Sequence, residues 1–148
     1  MAPVRTKKTI RVFIDSSVLM AAAISNRGAA RDLLRQGFRG EVDLYVSPEV
    51  LEESGRNLSL KAPEAVPGFE VFREVLAAKI VEPSALLVLR AAEVVVLKDA
   101  PIVAAAVETR AVYLATYDKR HLLGLKDEIR AQFDVVVATP DEVLAARR

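Results

Sequence analysis

The sequence predicts a three-layer α/β/α domain built on a central, mostly parallel sheet of four to five strands. Three observations lead there. Short runs rich in β-branched residues alternate with helix-like segments along the 148 residues. Several of these runs are continuously apolar, as expected of parallel strands covered on both faces. Helix starts between them are marked by capping residues and first-turn prolines. The length suits one domain over residues 1–148, and the 52% hydrophobic content suits a full core.

The elements follow in order. Ile10–Ile14 (IRVFI) reads as the first strand. Asp15, Ser16 and Ser17 then offer capping oxygens to a helix over Val18–Ser25. Asn26-Arg27-Gly28 breaks the chain before a second helix, Ala29–Gln36, which Gly37 is expected to end. Val42–Val46 is the second strand. Ser47-Pro48-Glu49 opens a helix to about Leu58, with cap, first-position proline and first-turn acid in sequence. Leu60–Gly68, with two prolines and a glycine, reads as a loop. Phe69–Ala78 is predicted helical, Ile80-Val81 a short strand and Ser84–Ala92 helical. Lys98-Asp99 precedes a helix over Ala100–Arg110. Val112–Thr116 (VYLAT) and Phe133–Ala138 (FDVVVA) are the last strands, and Thr139-Pro140-Asp141-Glu142 is a capping box opening the C-terminal helix.

Composition excludes several classes. Without cysteine there are no disulfides and no thiolate metal sites, which agrees with an expected cytoplasmic location. The N-terminal MAPVRTKKTI is basic and lacks the apolar stretch of a signal peptide, and Lys7-Lys8 reads as a solvated tail. No apolar run reaches the ~18 residues of a membrane span. A net charge of +1 means that any nucleic-acid contact must come from a local patch. Neither GxGxxG nor GxxxxGK[ST] occurs, so a nucleotide-binding α/β protein has no support.

The acids carry the functional signal. Asp15 ends the first strand and Asp118 lies two residues past VYLAT. In open parallel sheets ligands bind beyond the carboxyl ends of the strands. Both acids meet in one crevice if their strands are neighbours. Asp99 precedes the helix leading to the Asp118 strand, and Glu52 and Glu53 follow the second strand. Converging carboxylates raise one another's pKa unless something neutralises them. With oxygen donors, no cysteine and one histidine, Mg²⁺ or Mn²⁺ fits better than zinc. Each acid also has a plainer role. Asp15 and Asp99 are suitable helix caps, Asp118 can open a short helix over Lys119–Leu123, and Glu53 can be a solvated helix residue.

The segments "VFIDSSVLMAA", "VSPEVLEESGRNL", "KDAPIVAAAVETRAVYLATYDKRHLL" and "VVVATPDEVL" occur in the order seen in PIN domains, and the chain resembles that family over nearly its whole length. These are metal-dependent nucleases, including the toxins of VapBC-type toxin–antitoxin pairs. The resemblance implies a catalytic site of Asp15, Glu53, Asp99 and Asp118, with Glu52 the alternative to Glu53 because Ser54 stands where an apolar residue is common. It implies one or two Mg²⁺ or Mn²⁺ ions held by Asp15, Asp99 and Asp118, with Ser17 supporting Asp15. It implies hydrolysis of phosphodiester bonds in single-stranded RNA, RNA and a small antitoxin protein as partners, and a homodimer, for which the apolar residues of Ser84–Val96 offer a surface. The chain departs from the family in two places: Tyr117 stands where glycine is frequent, and Arg120 and His121 stand where relatives carry a further acid.

Basic residues supply the patch. Lys119, Arg120 and His121 directly follow Asp118 and are candidates for substrate contact. Arg27, Arg31, Arg35 and Arg39 recur every four residues, a ridge on a continuous helix that either meets RNA phosphates or is a solvated face. The leading function is a metal-dependent ribonuclease. The alternative is a catalytically weak PIN-like module that binds RNA or a protein.

Overall fold

A computed structural model describes residues 9–147, so the Lys7-Lys8 tail lies outside the described residues. The elements run β1 (Arg11–Ile14), α1 (Ser16–Ile24), α2 (Ala29–Phe38), β2 (Asp43–Tyr45), α3 (Pro48–Lys61), α4 (Val66–Val75), α5 (Ala85–Ala91), α6 (Ala100–Glu108), β3 (Tyr113–Ala115), α7 (Lys126–Phe133), β4 (Val136–Ala138) and α8 (Pro140–Ala146). The four strands pair in the order β2-β1-β3-β4, and every pairing is parallel. This is the expected three-layer α/β/α architecture. Val12, Phe13 and Ile14 are consecutive, so they point to opposite faces, and all three are fully buried. Both faces of the sheet are therefore covered, which explains the unbroken apolar run.

The helices attach in two groups. α1 packs on α2, α3 and α4, and α2 also meets α8. α6 seats on β1 and β3 and packs closely with α5. Its alanines make this possible: Ala100, Ala104, Ala105 and Ala106 are fully buried, so the helix approaches the sheet closely. α5 leaves Leu86 and Leu89 each 66% exposed. Among the described residues no helix is long and apolar enough to cross a membrane.

Most expected caps are present. Ser47 accepts from Val50 N, Ser84 from Leu87 N, and Thr139 and Glu142 complete their capping box. Four expectations are corrected. Leu60–Gly68 is not a loop: α3 runs to Lys61, a 3₁₀ turn spans Pro63–Ala65 and α4 starts at Val66. Pro63 and Pro67 sit in first turns, where a missing N–H costs nothing. Ile80-Val81 contributes a single parallel bridge between Ile80 and Val46 rather than a strand. The last strand shortens to Val136–Ala138, because Phe133 ends α7 and Asp134 closes that helix in the left-handed region at φ 56°.

The fourth correction concerns Gly37, which lies inside α2 rather than ending it. A β-carbon there would collide with Leu44 Cδ1 and Cγ, and Leu44 is a buried side chain of β2. The glycine lets the helix sit against the strand. Gly68, in the first turn of α4, meets nothing within 4 Å. The two glycines should respond to alanine with opposite sign. In urea titrations Gly37→Ala is expected to lower stability by about 1–2 kcal/mol, overpacking outweighing propensity. Gly68→Ala is expected to raise it by about 0.5–1 kcal/mol.

Candidate metal centre

The site grows from the pairing of β1 with β3. Ile14 is in register with Ala115, so Asp15 and Thr116 are the next residues out on adjacent strands. The ladder continues one step, with Asp15 N donating to Ala115 O at 3.1 Å. At this carboxyl edge Thr116 Oγ1 donates to Asp15 Oδ2 at 2.7 Å and accepts from Asp118 N at 3.0 Å. Ser17 Oγ donates to the same Asp15 oxygen at 3.2 Å and accepts from Tyr117 N at 3.0 Å. Asp15 Oδ1 accepts from Ser16 N at 2.6 Å. Asp15 thus starts α1 and ties it to the segment after β3, with Ser17 in the expected supporting place. Thr116 is the residue that sequence reasoning left without a role; its trace is the Thr-x-Asp spacing at the strand end.

Asp118 divides its two oxygens. Oδ1 accepts from Arg120 N at 3.1 Å and His121 N at 2.9 Å. This turn replaces the short helix expected over Lys119–Leu123; a 3₁₀ turn follows at Leu123–Leu125. Oδ2 lies 3.7 Å from His121 Nδ1, which is itself 3.6 Å from Asp99 Oδ2. Ligand atoms of Asp99, Asp118 and His121 all lie within 4.8 Å of one another. Asp99 holds the position before α6, yet its side chain makes no capping hydrogen bond, contrary to the cap reading. Its Oδ2 is buried and has no hydrogen-bond partner.

The family model of the PIN domain matches residues 11–120. This chain belongs to the PIN-domain family. The crystal structure of PAE2754 from Pyrobaculum aerophilum is similar in fold, at 19% identity and a TM-score of 0.61, over 93% of this chain and 94% of that one. No curated protein matches. PIN domains are generally metal-dependent nucleases.

The electrostatics of this PIN domain suit a cation. Burial pushes the Asp99 carboxyl above its ordinary range, and the Asp118 carboxylate pushes it further; Lys98 and His121 act the other way. Burial also raises Asp15, against the opposing hydrogen bonds from Thr116, Ser16 and Ser17. The fit to a hard divalent ion rests on the orphaned Asp99 oxygen. A buried carboxylate oxygen without a donor is costly, and a bound cation relieves that cost.

The remaining candidates are less concentrated. Glu53 is half-buried on α3 and lines a cleft with Glu49, Glu52, Arg56, Lys98 and Ile102, outside the Asp99–Asp118–His121 group. Glu52 is exposed and pairs with Arg56 at 3.9 Å. Glu49, read from the sequence only as a first-turn acid, is raised by burial and by Glu53 and Glu52. Ser54 is fully buried, so it occupies the core position where an apolar residue was expected. Lys119 and Arg120 are exposed beside Asp118. The arginine ridge is not continuous, because α2 spans only Ala29–Phe38 and leaves Arg27 and Arg39 beyond its ends. Arg31 donates to Ala22 O at 2.6 Å and lies over Phe72, while Arg35 engages Asp32 and Asn26 O. These contacts hold both guanidinium groups against the fold, with the Arg35 side chain still about half exposed.

The Asp99 shift has a stability consequence. Its folded pKa is raised above 3.8, so the native state binds the proton more tightly than the unfolded chain. Stability is therefore lost as pH rises from about 4 through the folded value, and the loss persists above it. In metal-free protein Asp99→Asn should be near neutral at pH 4 and stabilising by about 1 kcal/mol at pH 7–8, read by thermal melts across pH.

Proposed function

We propose that this PIN domain is an endoribonuclease that hydrolyses phosphodiester bonds of single-stranded RNA with Mg²⁺ or Mn²⁺. The single observation that carries the reading is the buried, unpartnered Asp99 oxygen beside the free oxygen of Asp118. Asp99 and Asp118 hold the cation, one ion or two, and Asp15 contributes from the adjoining strand end. When bound, the cation lowers the pKa of a water and neutralises charge developing on the phosphate.

The chain's own groups do the rest. Thr116 and Ser17 hold the Asp15 carboxylate, and Thr116 also holds the Asp118 backbone. This keeps the two acids in fixed relation while substrate binds. Glu53, on the neighbouring cleft with Lys98, orients the attacking water or adds a ligand. Lys119 and Arg120 project from the turn after Asp118 to meet the RNA backbone. A homodimer through Leu86 and Leu89 of α5, a cytoplasmic location and a small antitoxin partner belong to the same reading, the last drawn from the family resemblance alone.

The test is cleavage of a fluorescent single-stranded RNA with Mn²⁺ or Mg²⁺. Asp99→Asn and Asp118→Asn should each reduce the rate at least ~100-fold, since each removes several kcal/mol of charge stabilisation at the reacting phosphate. Chelation should abolish cleavage. Activity that survives both substitutions contradicts the site, whereas wild-type protein that binds the RNA without cleaving it leaves the binding-module alternative.

A further inference from the structure

We infer that His121 is a metal ligand through Nδ1, completing a donor set with Asp99 Oδ2 and Asp118 Oδ2, and that this nitrogen makes the site prefer transition-series divalent ions to Mg²⁺. The inference rests on the proposed metal site and concerns which ion that site selects.

Three free atoms converge here, each left over for a structural reason. Asp118 uses Oδ1 to hold the backbone of Arg120 and His121, so Oδ2 is the oxygen that remains. The same two hydrogen bonds fix the His121 backbone relative to Asp118 and bring its ring back over that carboxylate. Asp99 Oδ2 is buried and unpartnered, facing the ring from the start of α6. The ring nitrogen sits 3.6 and 3.7 Å from the two oxygens. Those distances are too long for hydrogen bonds. They approach the ~3–3.5 Å between neighbouring ligand atoms on one ion with bonds of about 2.1 Å. His121 is only a third exposed, so little ordering remains when it binds.

Donor chemistry then sets selectivity. Carboxylate and water suit Mg²⁺, which gains little from imidazole. An added imidazole nitrogen favours Mn²⁺ and, more strongly, Co²⁺ and Ni²⁺ along the series. His121 stands where the family resemblance places a further acid, so this chain exchanges a negative oxygen for a neutral nitrogen. The exchange lowers the charge available to Mg²⁺ and raises the affinity for ions that accept nitrogen.

Titration of the full chain with Mn²⁺, Co²⁺ and Mg²⁺ by calorimetry, and pulsed EPR of the Mn²⁺ complex, test this. The wild-type complex should show ¹⁴N modulation from a directly bound ring nitrogen, and His121→Ala should lose it. Changes outside the ligand set already cost ~10–100-fold in metal affinity, so loss of a ligand should weaken Co²⁺ at least ~10-fold. Mg²⁺ should change less than about 3-fold, and Arg73→Ala, an exposed residue of α4, should change neither ion. Equal losses for Co²⁺ and Mg²⁺, or no nitrogen modulation with Mn²⁺ bound, overturn the inference. If Asp99→Asn leaves Mn²⁺ binding unchanged, the metal site itself fails, an outcome distinct from failure at His121 alone.

Discussion

The parallel pairing of β1 with β3 is the constraint from which the site follows. With Ile14 opposite Ala115, the next residue on each strand is polar and lies at the carboxyl edge of a sheet buried on both faces. Asp15 and Thr116 meet there, and the Thr116 hydroxyl passes the connection to the Asp118 backbone. A one-residue slip would draw Asp15 towards the buried place of Ile14, so the burial of Val12, Phe13 and Ile14 also protects the geometry of the acids. The hydrophobic core is in this sense part of the candidate site.

The same arrangement stores a cost. Asp15 meets its burial with hydrogen bonds from Ser16, Ser17 and Thr116. Asp99 has no such relief at Oδ2. It stands at the start of α6, whose buried alanines seat the helix on β1 and β3. Local stability is surrendered at one carboxylate, and the surrendered term is the one that a cation can return. The division within Asp118 follows a similar logic, one oxygen building a turn and the other staying free.

Much of this was legible in the sequence because it depends on patterns repeated along the chain. Strands buried on both faces leave continuous apolar runs, and caps such as Ser47 and Thr139 mark helix starts. Asp15 and Asp118 were legible because they interrupt such runs at strand ends. Other features depend on contacts that spacing does not encode. Pro63 and Pro67 have the same letters in a helical first turn as in a loop. α7 buries only Ile129, so its apolar face is too thin to register. His121 is distant in sequence from Asp99, and only the seating of α6 on the sheet brings them together. Arg31 carries the spacing of a surface ridge, but its contacts to Ala22 and Phe72 are tertiary.

The buried Asp99 and the free oxygen of Asp118 are proposed to form one cation site. An anomalous diffraction map from crystals soaked in Mn²⁺ measures this most directly. The expected result is a peak bonded to Asp99 Oδ2 and Asp118 Oδ2, with His121 Nδ1 in the same coordination sphere. A map whose manganese peaks all lie away from Asp99 and Asp118 would contradict it.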